Sequence, residues 1–211
     1  MANWVLTGLR SGIRTSGYPT TPDASPGVSP GRPRAAANLS TKQVEAIQRE
    51  CPTEALVPLE GGIAVNHGRC VHCFRCRTAE PGIPWEIDYE WGSAPDEIAA
   101  ARTELDRAFS RSLHVRFVDA GACSACMSEA RQINNPYYNM HRLGFFITPT
   151  PRTADVLLIA GPISDAMRSP LLKAYDAVPT PKRVVAIGAC AISGAPVRGQ
   201  RGANAIFSFF W

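Results

Sequence analysis

The sequence predicts an α/β chain: a parallel-sheet domain over the C-terminal half, preceded by a small α+β unit. Three observations carry this. Ala154–Ala160 (ADVLLIA) and Arg183–Gly188 (RVVAIG) are short, nearly continuous apolar runs, as expected of strands buried on both faces of a parallel sheet. Segments of helical composition alternate with them. Upstream, two short strand-like runs and one helical stretch crowd around closely spaced cysteines.

The chain has 211 residues, 45% of them hydrophobic, enough to bury a sizeable core. Its longest apolar runs fall far short of the roughly 20 residues of a membrane span. Charged residues are 19% and the net charge is +4, too mild to make nucleic acid the main partner. Most of the excess sits early: Arg10, Arg14, Arg32 and Arg34 against Asp23 within residues 1–40. Met1–Leu9 lacks the basic and long apolar regions of a secretory signal, so a cytoplasmic location is expected. Seven cysteines in that setting read as metal or redox chemistry rather than a disulfide framework.

The elements follow in order. In Asn3–Arg14, Val5, Leu6, Leu9 and Ile13 share a face at helical spacing. Residues 1–14 read either as a frayed terminus or as a docking segment for a partner or membrane surface. Residues 15–36 carry Pro19, Pro22, Pro26, Pro30 and Pro33 and read as an extended linker that buries almost nothing. Thr41–Glu50 is a helix ending at Cys51-Pro52. Ala55–Pro58 and Gly62–Asn66 are strands around a Gly61-Gly62 turn. Cys70, Cys73 and Cys76 follow, and residues 37–92 form one unit. Asp96–Ser110 is a predicted helix opening the second domain, residues 93–211. There Leu113–Val118 is a strand that leads into Cys123 and Cys126. Ser124–Ile133 and Ser164–Val178 are helices, and Cys190 follows the last apolar strand.

The first cysteine group fits a rule. Bacterial ferredoxins carry C-x2-C-x2-C-x3-C-P runs, and in two-cluster proteins the fourth Cys of one run ligates the other cluster. Cys70, Cys73 and Cys76 open such a run, whose fourth position holds Glu80 before Pro81. Cys51-Pro52 closes another, whose earlier positions hold Thr41, Val44 and Ile47. One cluster is therefore lost. The retained set, Cys51, Cys70, Cys73 and Cys76, suits one [4Fe–4S] cluster in a ferredoxin-like unit. A structural zinc site on the same thiols is the alternative, although zinc favours paired C-x2-C knuckles. His67 and His72 read as neighbours of this site rather than ligands.

In the second group, Cys123, Cys126 and Cys190 sit just beyond strand ends, where open parallel sheets build their sites. The small residues Gly121, Ala122, Gly188 and Ala189 let backbone approach there. The start of the helix at Ser124–Cys126 offers N–H donors and a positive dipole end to an anionic group. C-x2-C alone also fits a thiol redox pair.

From Asp119 to Pro196 the sequence resembles the 20 kDa subunit of NADH:quinone oxidoreductase (complex I) and the small subunit of membrane-bound, energy-converting [NiFe] hydrogenases. The resemblance rests on Asp119-x-Gly121-x-Cys123-x2-Cys126-x2-Glu129, Asn135-Pro136-x-Tyr138, Arg142-x-Gly144, Thr150-Pro151-Arg152-x-Ala154-Asp155, Gly161-Pro162, Pro179-x-Pro181-Lys182 and Gly188-x-Cys190-Ala191-x-Ser193-Gly194. The C-x2-C spacing is closer to the hydrogenase branch. Trp4–Pro19 and the unit through Pro81 resemble the ferredoxin-type subunits of the same complexes. The resemblance implies a flavodoxin-like parallel sheet and a second [4Fe–4S] cluster on Cys123, Cys126 and Cys190, beside a catalytic large subunit. It implies that Glu129 faces that partner and carries protons, or else pairs with it as a surface carboxylate. Arg152 and Arg142 stand near the cluster or form ordinary ion pairs, and His141 is structural or at the interface. It further implies electron transfer toward or from a hydrogenase or quinone-reducing site, contact with membrane-arm subunits only indirectly, and a place at the inner face of the cell membrane. With no G-x-G-x-x-G after a strand, direct NADH binding is not expected.

One departure stands out. The family places a Gly-Cys-Pro-Pro segment after Cys190 as the source of a fourth ligand, whereas Arg198–Trp211 contains no cysteine. The second site is expected to be incomplete. An assembly or binding module with zinc or a single cluster, and no electron relay, is the competing function.

Overall fold

Residues 3–18, 20, 21, 31–86 and 112–194 are described by a computed structural model of the chain. The expected helix Asp96–Ser110 and the tail Arg198–Trp211 lie outside the described residues.

Helix α1 (Asn3–Ser11) buries none of its residues. Trp4, Leu9 and Ile13 are 77%, 78% and 92% exposed, so its apolar side faces solvent in the isolated chain. The chain then lies against the C-terminal domain. The Ser16 amide donates to the Tyr137 carbonyl at 2.7 Å, the Thr15 hydroxyl donates to Pro136 O at 3.3 Å, and the Arg142 guanidinium donates to Tyr18 O.

The Pro-rich stretch buries more than its composition predicts. Ser16, Gly31 and Pro33 are buried. Strand β1 (Arg32–Pro33) pairs antiparallel with β5 (Trp85–Glu86), and β2 (Ala36–Ala37) pairs with β4 (Gly62–Val65). A proline is tolerated here because β1 belongs to a two-stranded ribbon, where one side of each strand has no ladder to complete. Two-residue strands carry no periodicity, so composition dominates the sequence signal.

Helix α2 (Thr41–Glu50) starts at a capping box: the Gln43 amide donates to Ser40 Oγ, and the Gln43 side chain accepts from the Ser40 amide. Strand β3 (Leu56–Leu59) turns at Glu60-Gly61 into β4, pairing Leu56 with Val65 through Leu59 with Gly62. Gly62 is required by close approach, since a Cβ there would run into the Ala36 carbonyl. The order β2-β4-β3 makes a small antiparallel sheet under α2. The core joins Val44, Ile47, Leu56, Ile63 and Ile83 to Cys51 and Cys76. Short helix α3 (Arg75–Thr78) closes the unit.

The C-terminal domain is a four-stranded parallel sheet: β6 (Leu113–Asp119), β7 (Phe145–Ile147), β8 (Val156–Ala160) and β9 (Arg183–Ile187), in the order β7-β6-β8-β9. Counted within the domain this is 2-1-3-4, the leading part of the flavodoxin-like order 2-1-3-4-5. Helices α4 (Ala125–Gln132), α5 (Asp165–Ala177) and α6 (Ala189–Ser193) follow β6, β8 and β9. Central β8 is the most apolar strand and the most buried, with Leu157, Ile159 and Ala160 fully enclosed. Leu157 and Ile159 pack with Ala120, Ile163, Leu171, Val178 and Ala191. Strand β7 has no counterpart among the sequence-predicted elements. Its three residues are too few to show alternation, and its place beside β6 is fixed by long-range pairing. No described helix is long and apolar enough to cross a membrane.

Candidate metal centres

The first group is assembled by one helix end and one coiled loop. Cys51 is the C-cap of α2, its amide bonded to Gln48 O at 3.1 Å. Between Cys70, Cys73 and Cys76, both His72 (φ 51°) and Phe74 (φ 63°) take left-handed backbone, uncommon for non-glycine residues. This curls the loop, so thiols three residues apart face one cavity instead of alternating sides. All four cysteines line that cavity. Pro33, Thr53, Ala55, Leu56, Phe74 and Trp85 share its wall.

The electrostatics show how close the thiols stand. Burial pushes the Cys70 thiol up, and the charges of Cys76, Cys51 and Cys73 push it further. Burial also raises Cys76, while the Trp85 indole beside it pulls the other way. Like charges so near one another need a cation to hold them deprotonated. The Ala55 amide donates to Cys51 Sγ at 3.3 Å, and the Thr53 hydroxyl is 3.6 Å from the same sulfur. Such donors suit a thiolate.

Among the described residues no three His, Cys, Asp or Glu side chains converge tightly enough to enclose a single ion, yet four thiols ring one cavity. Of the vacated ligand positions, Val44 and Ile47 are buried core residues, and Glu80 is exposed.

The second group is built at the C-terminal edge of the parallel sheet. Asp119 ends β6, and its carboxylate accepts the amides of Gly121 and Ala122 at 2.8 and 2.7 Å. This fastens the turn into Cys123. Gly161 (φ 84°) ends β8, and a Cβ on it would lie 2.7 Å from Ala122 Cα and 2.8 Å from the Gly121 carbonyl carbon. The loop after β6 therefore crosses directly over the end of β8. Gly188 (φ 83°) ends β9, and a Cβ there would strike Cys126 Sγ. Cys190 is the second residue of α6. Burial raises the Cys126 thiol, with the charges of Cys190, Cys123 and Glu129 adding to it. Burial raises Cys190 too, with Cys123 adding. The structure thus brings Cys123, Cys126 and Cys190 together. The first and third strands of the domain, β6 and β8, are neighbours at its topological switch point, where sites in such sheets form.

Glu129 is exposed on α4, near enough to influence Cys126. Arg142 bonds the carbonyls of Tyr138 and Tyr18 and so fastens the N-terminal segment. Arg152 is exposed in a 3-10 turn. His141 and His114 both stack on Phe146, at 5.1 and 5.7 Å. His72 bonds Gly31 O at 3.3 Å. Sequence reasoning missed the wall residues Pro33, Thr53 and Trp85, which no spacing rule marks.

The two groups adjoin. A Cβ on Gly68, two residues before Cys70, would lie 3.0 Å from Ile192 Cγ2, two residues after Cys190.

Residues 123–207, beginning at Cys123 and including all three cysteines of the second group, match the family described as NADH ubiquinone oxidoreductase, 20 Kd subunit. This part of the chain is similar to that family. The chain is similar to formate hydrogenlyase subunit 7 of Escherichia coli K12, 38% identical over 112 residues, covering 53% of this chain and 41% of that protein. It is similar to the "probable membrane-bound hydrogenase subunit mbhJ" of Pyrococcus furiosus, 35% identical over 91 residues, 43% of this chain and 54% of that one. An NADH-quinone oxidoreductase subunit of Bacteroides thetaiotaomicron is 40% identical over 78 residues, 36% of this chain and 40% of that one. The chain thus spans about half the length, or less, of these relatives.

Proposed function

We propose that the chain is an iron–sulfur electron-transfer subunit of a hydrogenase-type or respiratory oxidoreductase complex, docked on a catalytic large subunit at the inner face of the cell membrane. The observation that carries this reading is the adjacency of two thiol groups: four cysteines around one cavity and three more across the Gly68–Ile192 contact. When bound, a [4Fe–4S] cluster supplies one-electron redox chemistry. The chain's own part is to hold the thiolates, surround them with apolar wall and keep the two groups close. Relatives from both the hydrogenase and the quinone-oxidoreductase branches support a subunit of such a complex, and the C-x2-C spacing leans toward the first branch. Glu129, exposed one turn beyond Cys126, is positioned to exchange a proton at its carboxylate with the large subunit.

Iron and acid-labile sulfide, measured after anaerobic purification, test the reading. About four of each per chain correspond to one cubane, and about eight to two. Zinc alone overturns it in favour of a structural module. The count also addresses the second site, whose three cysteines leave one coordination position to another donor.

Helix α1 is assigned as the docking element, since none of its residues is buried against the described residues. Deleting residues 1–14 is expected to leave iron content unchanged and to weaken recovery of the chain with its complex or with the membrane fraction. Loss of iron on deletion would count against this assignment.

A further inference from the structure

Trp85 carries a group that the fold does not use. It is the first residue of β5, held opposite Pro33 of β1. Its ring stacks on Phe74 at 4.4 Å and 22°, and the His72 ring meets it edge-on at 6.1 Å. Phe74 and Trp85 both line the cavity of the four cysteines. The indole nitrogen is sealed from solvent yet has no hydrogen-bond acceptor within bonding distance among the described residues. Indole N–H is a donor only, and buried donors left unmet are rare. Cys76 and the other three cysteines line the same cavity as this ring. A neutral thiol is a weak acceptor, whereas a metal-bound thiolate is a strong one. The unmet donor therefore gains a strong acceptor when the cavity is loaded.

We propose that the Trp85 indole N–H donates to a cysteine sulfur of the loaded first site and raises the reduction potential of the cluster held there. This rests on the reading that Cys51, Cys70, Cys73 and Cys76 hold an iron–sulfur cluster. The physical cause is differential stabilisation. Reduction adds negative charge that spreads onto the ligand sulfurs, so a fixed donor aimed at one of them favours the reduced form.

The test uses the full chain purified anaerobically. Trp85→Phe keeps a ring against Phe74 and removes the donor. Iron per chain and an EPR-monitored potentiometric titration are measured for both proteins. The expected result is unchanged iron and a more negative midpoint in the variant. At a fixed ambient potential the reduced-to-oxidised ratio falls by about threefold to tenfold, the latter being about 59 mV for one electron. Unchanged iron with an unchanged midpoint overturns the proposal and leaves the cluster reading intact. Absence of iron from the wild-type chain overturns both.

A second readout keeps Trp85 in place. Of four tryptophans, Trp4, Trp91 and Trp211 are replaced by Phe, and Trp85 is labelled with 15N in its indole ring. The reduced cluster is expected to show a hyperfine coupling to that nitrogen and to its exchangeable proton. No coupling in the iron-loaded protein overturns the proposal.

Discussion

Replacing Cys51 by Ser is expected to remove the iron of the first site as completely as replacing Cys73 by Ser, a loss of about four iron atoms per chain. In the sequence Cys51 looks like an outlier, nineteen residues before the triplet. In the structure it is an equal member of the wall. It caps α2, lines the same cavity as Cys70, Cys73 and Cys76, and receives the Ala55 amide at 3.3 Å. Its charge raises both Cys70 and Cys76, which places it near each of them. Serine is nearly isosteric, so the α2 core around Val44 and Ile47 should survive, and circular dichroism should change little. The measurements are iron, labile sulfide and the absorption of the reduced and oxidised forms, on full-length chains. Near-normal iron in the Cys51 variant, with loss in the Cys73 variant, would falsify the four-ligand set.

The residues that could be read from the sequence share a property: their signal is local. Ser40 and Gln43 mark the start of α2 three residues apart. Val156–Ala160 is apolar on both faces because both faces are covered. The triplet and Cys51-Pro52 obey a spacing rule set by the geometry of one cluster. What could not be read is set by partners distant in the chain. Pro33 becomes strand and cavity wall only because Trp85 arrives beside it, more than fifty residues later. Phe145–Ile147 becomes β7 only by pairing with β6. The linker composition of residues 15–36 concealed the anchoring of Ser16 and Tyr18 on residues 136–142, because single hydrogen bonds to backbone carbonyls leave no trace in composition. At the second site, the small residues were legible as permitting close approach. Which atom approaches each of them was not.

Gly188 shows how much rests on that close approach, and Gly188→Ala is expected to damage both stability and the second site. Two costs coincide there. The backbone sits at φ 83° and ψ 159°, a region almost restricted to glycine, where another residue costs about 1–3 kcal/mol. The added Cβ would also meet Cys126 Sγ. That atom ends a short side chain and can rotate away, but rotation carries the thiol out of the group it forms with Cys123 and Cys190. A loss of about 1–3 kcal/mol should lower the urea midpoint without changing the slope. Any iron beyond the first cubane should be lost, while iron at Cys51, Cys70, Cys73 and Cys76 remains. Cys126 should become more reactive toward an alkylating reagent, a readout that does not require iron at the second site. Gly8→Ala is the matching control, because a Cβ at Gly8 in α1 meets nothing within 4 Å and alanine favours helix. If Gly188→Ala matches that control in urea midpoint, iron content and Cys126 reactivity, then the end of β9 does not position Cys126, and the three-cysteine site loses its structural basis.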